Sequence, residues 1–110
     1  QDAAHNRQDI GRDRQFQNRD RRQWERNVQA TRRFRGGFYR PPPGYAYRRW
    51  GWGQRLPGAY FAQNYWLTNW FTFGLFAPPQ GLVWVRYGPD ALLVDRYTGE
   101  IVQVRYGLFY

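Results

Sequence analysis

Apolar and polar positions alternate most clearly between Gly81 and Tyr106, where the chain reads GLVWVRYGPDALLVDRYTGEIVQVRY. Three short runs of Val, Leu, Ile, Trp and Tyr are separated by Gly88-Pro89-Asp90 and by Thr98-Gly99. β-Branched and aromatic runs bounded by turn residues predict an antiparallel meander. Thr98-Gly99 suits a two-residue hairpin loop, because glycine reaches positive φ without a Cβ penalty. That loop sets Arg96 opposite Ile101, Val94 opposite Gln103 and Leu92 opposite Arg105. Pro89 fits poorly at the second centre of a two-residue turn, so a three-residue Gly88-Pro89-Asp90 loop is expected.

A side-chain period of two then sorts the meander into faces. Val83, Val85, Tyr87, Ala91, Leu93, Val102, Val104 and Tyr106 share an almost wholly apolar face, the expected core. Trp84, Arg86, Leu92, Val94, Arg96, Ile101, Gln103 and Arg105 share the other, whose rings and cations make it the expected contact face. The sorting is conditional on register, since a one-residue slip in the first hairpin exchanges faces.

Upstream, Asn64–Phe73 (NYWLTNWFTF) alternates aromatic and polar residues and predicts a further strand. Tyr65, Leu67, Phe71 and Phe73 lie on one side of it, Trp66, Thr68, Trp70 and Thr72 on the other. Residues 54–110 therefore read as a mainly β module, a small antiparallel sheet of four or five strands. Residues 36–53 (GGFYRPPPGYAYRRWGWG) form a Gly/Pro/aromatic linker, a strap across the sheet with Pro41-Pro42-Pro43 in polyproline II. Residues 1–35 hold ten Arg, five acids and few apolar groups. They read as an extension that is either helical, over Asp13–Arg33 and ended by Gly36-Gly37, or disordered.

Length allows one domain plus that extension: there are 110 residues. Aromatics reach 21%, with six Trp, nine Tyr and eight Phe, more rings than a small core absorbs. Some are expected to meet a partner, and Trp66, Trp70, Trp84, Arg86, Arg96 and Arg105 are the candidate contacts, being the residue types of interface hot spots. An edge strand at Ile101–Tyr106 would also pair with a neighbour, so a homo-oligomer or larger assembly is expected. All seventeen basic residues are Arg, against eight acids, for a net charge of +9. Arginine favours bidentate contact with phosphate or carboxylate. Arg19, Arg21, Arg22, Arg26, Arg32, Arg33 and Arg35 are thus candidate contacts to a polyanion, an acidic envelope polymer included.

Cys, Ser, Lys and Met are absent and the single imidazole is His5. Nucleophilic catalysis lacks its usual groups, so an enzyme is not expected. No cofactor follows from the residues, and His5 is the one metal candidate. No apolar run approaches the roughly 20 residues of a spanning helix; Tyr65–Ala77 is broken by Thr, Asn and Gly. The chain opens at Gln1 without Met, which reads as a mature chain after removal of a secretory leader.

Leu56-Pro57 with Tyr60, the aromatic stretch, Pro78-Pro79-x-Gly81-x-x-Trp84-Val85-Arg86, Gly88-x-Asp90, Leu92-Leu93-Val94-Asp95 and Thr98-Gly99-x-Ile101 follow in order. Over Gln54–Tyr106 this pattern resembles the RcnB-type family of bacterial periplasmic proteins. The resemblance implies a secreted, periplasmic, non-enzymatic protein of small β type, with a role in nickel and cobalt homeostasis beside an efflux system. Three functions are therefore expected in turn: a binding or assembly module working through the aromatic/Arg face, a nickel or cobalt homeostasis accessory, and a polyanion binder.

Overall fold

The computed structural model describes residues 22–110, which build one four-stranded sheet in the order β1-β4-β3-β2. β2 (Leu82–Tyr87), β3 (Asp90–Asp95) and β4 (Ile101–Tyr106) are the expected antiparallel meander. β1 (Arg26–Gln29) joins it in parallel, with Val28 against Arg105 and Gln29 against Tyr106. The expected helix over Asp13–Arg33 is corrected here: among the described residues only 22–24 are helical, and the chain then runs extended. A helix with so thin an apolar stripe gains little alone, whereas the sheet offers both a ladder and a core. Trp24 stacks on Phe76 at 4.4 Å between ring centroids. Ala30 N donates to Tyr106 O at 2.9 Å, Phe34 N to Leu108 O at 2.7 Å, and Tyr110 N to Phe34 O at 3.0 Å. β4 is consequently flanked on both sides, and Ile101–Tyr106 is not the edge strand that the sequence predicts.

Register differs from expectation in both hairpins. Tyr87 pairs with Asp90, leaving a two-residue Gly88-Pro89 turn. Gly88 takes φ 56°, and a turn with positive φ at its first centre leaves the second to a residue of negative φ, which proline supplies. β3 therefore shifts by one position, and Leu92 and Val94 change faces with Ala91 and Leu93. In the second hairpin Asp95 N donates to Glu100 O at 2.9 Å, so Arg96 lies in the loop and does not pair with Ile101. Asp95 Oδ1 holds that loop by accepting from Tyr97 N at 2.8 Å and Thr98 N at 3.2 Å. Leu93 pairs with Gln103 while Val94 pairs with Ile101, so Val102 is the extra residue of a β-bulge.

Both sheet faces are buried. Val85, Tyr87, Leu92, Val94, Ile101, Val104 and Tyr106 form a first core with Trp50 and Leu56. Leu82, Trp84, Ala91, Leu93 and Val102 form a second with Leu75, Leu108 and Phe109. The strap contributes Tyr45 and Trp50 to the first core, and Trp24, Ala30 and Phe34 roof the second. The strand expected at Asn64–Phe73 is replaced by 3₁₀ turns at Gln63–Tyr65 and Trp70–Phe73. Turning lets this segment feed two cores: Tyr65 and Trp66 pack on the first, Leu67, Trp70 and Phe73 on the second. A straight strand presents its alternate residues to one sheet face only. Asp90, 1% exposed, ties the parts together by accepting from Tyr47 Oη at 2.5 Å and Gly107 N at 2.9 Å.

Candidate functional site

Arg86 sits on β2 with its guanidinium committed to backbone. Nε donates to Gly88 O at 3.0 Å, Nη2 to Gly37 O at 2.9 Å, and Nη1 to Gly36 O. Its Cζ lies 4.9 Å from the Phe109 ring centroid and 5.6 Å from that of Tyr39. Burial lowers its pKa from the usual guanidinium value. This side chain pins the start of the strap to the sheet and so fixes where Phe38, Tyr39 and Arg40 stand.

Opposite them, the segment after the first 3₁₀ turns runs against β2. Trp66 bridges Val85, Leu67 N donates to Trp84 O at 2.7 Å, and Trp66 Nε1 donates to Phe61 O at 2.9 Å. Tyr65 Oη donates to Arg40 O at 2.6 Å and joins the two walls. Between them opens a cleft of about 570 Å³, lined by Phe38, Tyr39, Arg40, Asn64, Tyr65, Trp66, Leu67 and Arg86. Phe38, 85% exposed, and Arg40 stand at its rim. Its lining holds aromatic rings, among them the phenols of Tyr39 and Tyr65, with two guanidinium groups, one amide and no carboxylate. Such a surface offers stacking faces and hydrogen-bond donors to a ligand.

The site residues expected from sequence divide into three groups. Trp66 and Arg86 line the cleft, and exposed Arg96 stacks over Trp66 at 5.5 Å. Trp84 is fully buried, donating Nε1 to Phe76 O at 2.8 Å, and Trp70 packs on the second core; Trp84 therefore offers no surface to a partner. Arg105 lies elsewhere, beside the segment that follows β1. Of the polyanion candidates, Arg22, Arg26, Arg32 and Arg35 are exposed. Arg33 is a strut, with Nε on Gly107 O at 2.9 Å and Nη2 on Phe109 O at 3.1 Å. Arg19, Arg21 and His5 lie outside the described residues. Phe38, Tyr39, Arg40 and Leu67 carry no sequence signal of a cleft beyond the interleaving of rings and arginines.

A tyrosine cluster backs the cleft. Tyr39 lies 5.5 Å from Tyr45 and 5.6 Å from Tyr65, and Tyr45 and Tyr60 pack on Tyr87 at 5.4 and 5.5 Å. Burial raises the pKa of Tyr39, Tyr45, Tyr47 and Tyr106, with neighbouring phenols adding to it at Tyr39 and Tyr45 and the bond to Asp90 adding at Tyr47. A phenol raised in the folded state stabilises fully below its unfolded value of about 10, and that stabilisation is lost as pH rises through the raised values. Alkaline titration is therefore expected to show late tyrosinate absorbance appearing together with loss of the far-ultraviolet circular dichroism. Nine phenols ionising at one ordinary midpoint, with the fold intact, would contradict the packing.

The family model of RcnB, described as a nickel/cobalt transporter regulator, matches residues 53–103. Over that stretch the chain is similar to the RcnB family. The stretch is the one whose residues carry the resemblance, and it runs from the end of the strap through Gln103 in β4. A solved structure aligns with 28% identity over 53% of this chain and 70% of its own, at a TM-score of 0.49, too slight a likeness to carry an argument. No curated protein matches. The matched stretch supplies one wall of the cleft, Asn64 to Leu67 with Arg86, whereas Phe38, Tyr39 and Arg40 precede it.

Nickel and cobalt favour imidazole or thiolate donors. The described residues hold neither, and no group of three or more His, Cys, Asp or Glu gathers among them. Asp90 is committed to Tyr47 and Gly107, and Asp95 to its loop. The described module does not fit a resident nickel or cobalt ion. None of its helices is long and apolar enough to cross a membrane.

Proposed function

We propose that this chain is a non-enzymatic, periplasmic accessory of nickel or cobalt homeostasis that works by binding a protein partner. The cleft carries this reading: a 570 Å³ hollow walled by Phe38, Tyr65, Trp66 and Leu67, with Arg40 at its mouth. Its occupant is an extended segment that seats an aromatic or aliphatic side chain between the rings and sets a carboxylate beside Arg40. The donor chemistry of the described residues favours partner contact over metal custody, and the wall that precedes the family match would set which partner is recognised.

The reading is tested in a strain lacking the chain, by measuring cellular nickel and cobalt with wild type and with Phe38→Ala/Arg40→Glu restored. Both side chains are exposed, so the double variant is expected to keep the wild-type melting temperature yet fail to restore metal levels. The variant His5→Ala is expected to restore them. Stoichiometric nickel binding to the purified chain that His5→Ala abolishes would overturn the reading in favour of direct metal handling. A wild-type dimer that the Phe38/Arg40 variant dissociates would make the partner a second copy.

A further inference from the structure

A smaller hollow of about 180 Å³ lies between the segment after β1 and the Trp70–Phe73 turn. Ala30, Thr31, Arg32 and Phe34 form one wall, Phe73 and Gly74 the other, and Arg105 and Leu108 close it. Two cations thus meet in a notch whose lining contains no carboxylate.

Both cations are held in place. The Arg32 guanidinium lies 5.1 Å from the Phe34 ring centroid. Arg105 Nε donates to Gln103 Oε1 at 2.6 Å, and Gln103 Nε2 donates to Trp24 O at 2.9 Å. Gln103 is 0% exposed, a polar side chain inside a strand whose neighbours Val102 and Val104 are core aliphatics. Packing alone is served as well by leucine at that position. An amide there does something leucine cannot: it fixes Arg105 through Nε. Among the described residues, Nη1 and Nη2 of Arg105 have no hydrogen-bond partner, so the donor fork is left available. Arg26 pairs with Gln103 across the sheet and brings a third cation to the same face. Burial first, and Arg26 second, lower the pKa of Arg105. A half-buried cation beside like charge is costly, and an oxyanion in the notch offsets both terms.

We propose that Arg105 and Arg32, with Arg26 adding positive potential, form a binding notch for the phosphoryl group of a phosphate ester. A phosphoryl group offers three terminal oxygens and up to two charges, which suits two fixed guanidinium forks and a third cation better than a carboxylate does. Free phosphate monoesters and lipid headgroups that end in a phosphate monoester, such as phosphatidic acid, present the same chemistry. The sequence candidates Arg26, Arg32 and Arg105, drawn from two separate expectations, meet here.

The test uses the full chain. Inorganic phosphate is titrated by calorimetry and followed by NMR of the arginine Nε–H groups. Arg32→Gln/Arg105→Gln is expected to weaken phosphate at least about tenfold. The charge-matched pair Arg48→Gln/Arg55→Gln is expected to leave it within about twofold, which separates a site from diffuse charge. Arg32→Gln alone, an exposed position, guards against a folding failure at Arg105, and it too is expected to weaken binding several-fold. Gln103→Leu, which keeps every arginine, should broaden or shift the Arg105 Nε–H signal and reduce affinity. Sedimentation with phosphatidic acid and with phosphatidylglycerol vesicles separates the sources. Retention on phosphatidic acid alone, lost in the Arg32/Arg105 pair, assigns a lipid headgroup; phosphate binding without retention assigns a soluble ester. Equal weakening by both charge-matched pairs, or no phosphate effect at the Arg105 signal, would overturn the notch.

Discussion

Deleting residues 1–36 is expected to abolish cooperative unfolding, although the family match begins only at residue 53. The deletion removes β1 and the side chains of Trp24, Ala30 and Phe34 that roof the second core. Uncovering two large rings costs about 1.5–3 kcal/mol each. The lost backbone bonds to Tyr106, Leu108 and Tyr110 add about 1 kcal/mol apiece. The total, on the order of 5 kcal/mol or more, is comparable with the whole stability of a small domain. Thermal melts followed by circular dichroism are expected to drop by more than about 20 °C or lose their transition. The bared edge of β4 is also expected to drive concentration-dependent association. A truncated chain melting cooperatively within about 5 °C of wild type would show that β1 is dispensable.

Gly99→Ala has the second largest expected effect. Gly99 takes φ 82°, where an alanine is strained by about 1–2 kcal/mol. An added Cβ would also lie 2.5 Å from Leu56 O and 2.9 Å from the Phe61 ring. Leu56 has little room to retreat, since its N donates to Gly99 O at 2.8 Å and its side chain is buried in the first core. Strain and overlap together are expected to cost about 3–4 kcal/mol, lowering the melting temperature by about 12–25 °C. Gly44→Ala is the matched control: φ is 81° but nothing lies within 4 Å of the added Cβ. It is expected to lose only the strain, about 1 kcal/mol. Equal losses at the two glycines would refute the close approach at Leu56.

The candidate cleft was partly legible. Trp66, Arg86 and Arg96 stand out in sequence as rings and cations near the sheet, and the structure gathers them around one opening. Phe38, Tyr39 and Arg40 join them only because Arg86 binds the carbonyls of Gly36 and Gly37, about 50 residues away in the chain. Trp84 has the same sequence credentials as Trp66 yet is core, because a second layer of chain roofs its face. Gln103 did carry a signal, a lone amide between valines, but its meaning depends on Trp24 and Arg105.

What the sequence by itself determined is the mainly β class and the three strands of the meander. Period-two alternation and turn residues act between near neighbours, so their effect is readable locally. The register of both hairpins, the bulge at Val102, the parallel strand β1 and the roofing of the second face belong to the tertiary structure. Each depends on contacts between residues far apart in the chain, such as Trp24 with Gln103 or Val28 with Arg105. A polar, arginine-rich segment with few apolar groups has no strong conformation of its own. It becomes a strand because the sheet already presents an unpaired edge and an uncovered core beside it.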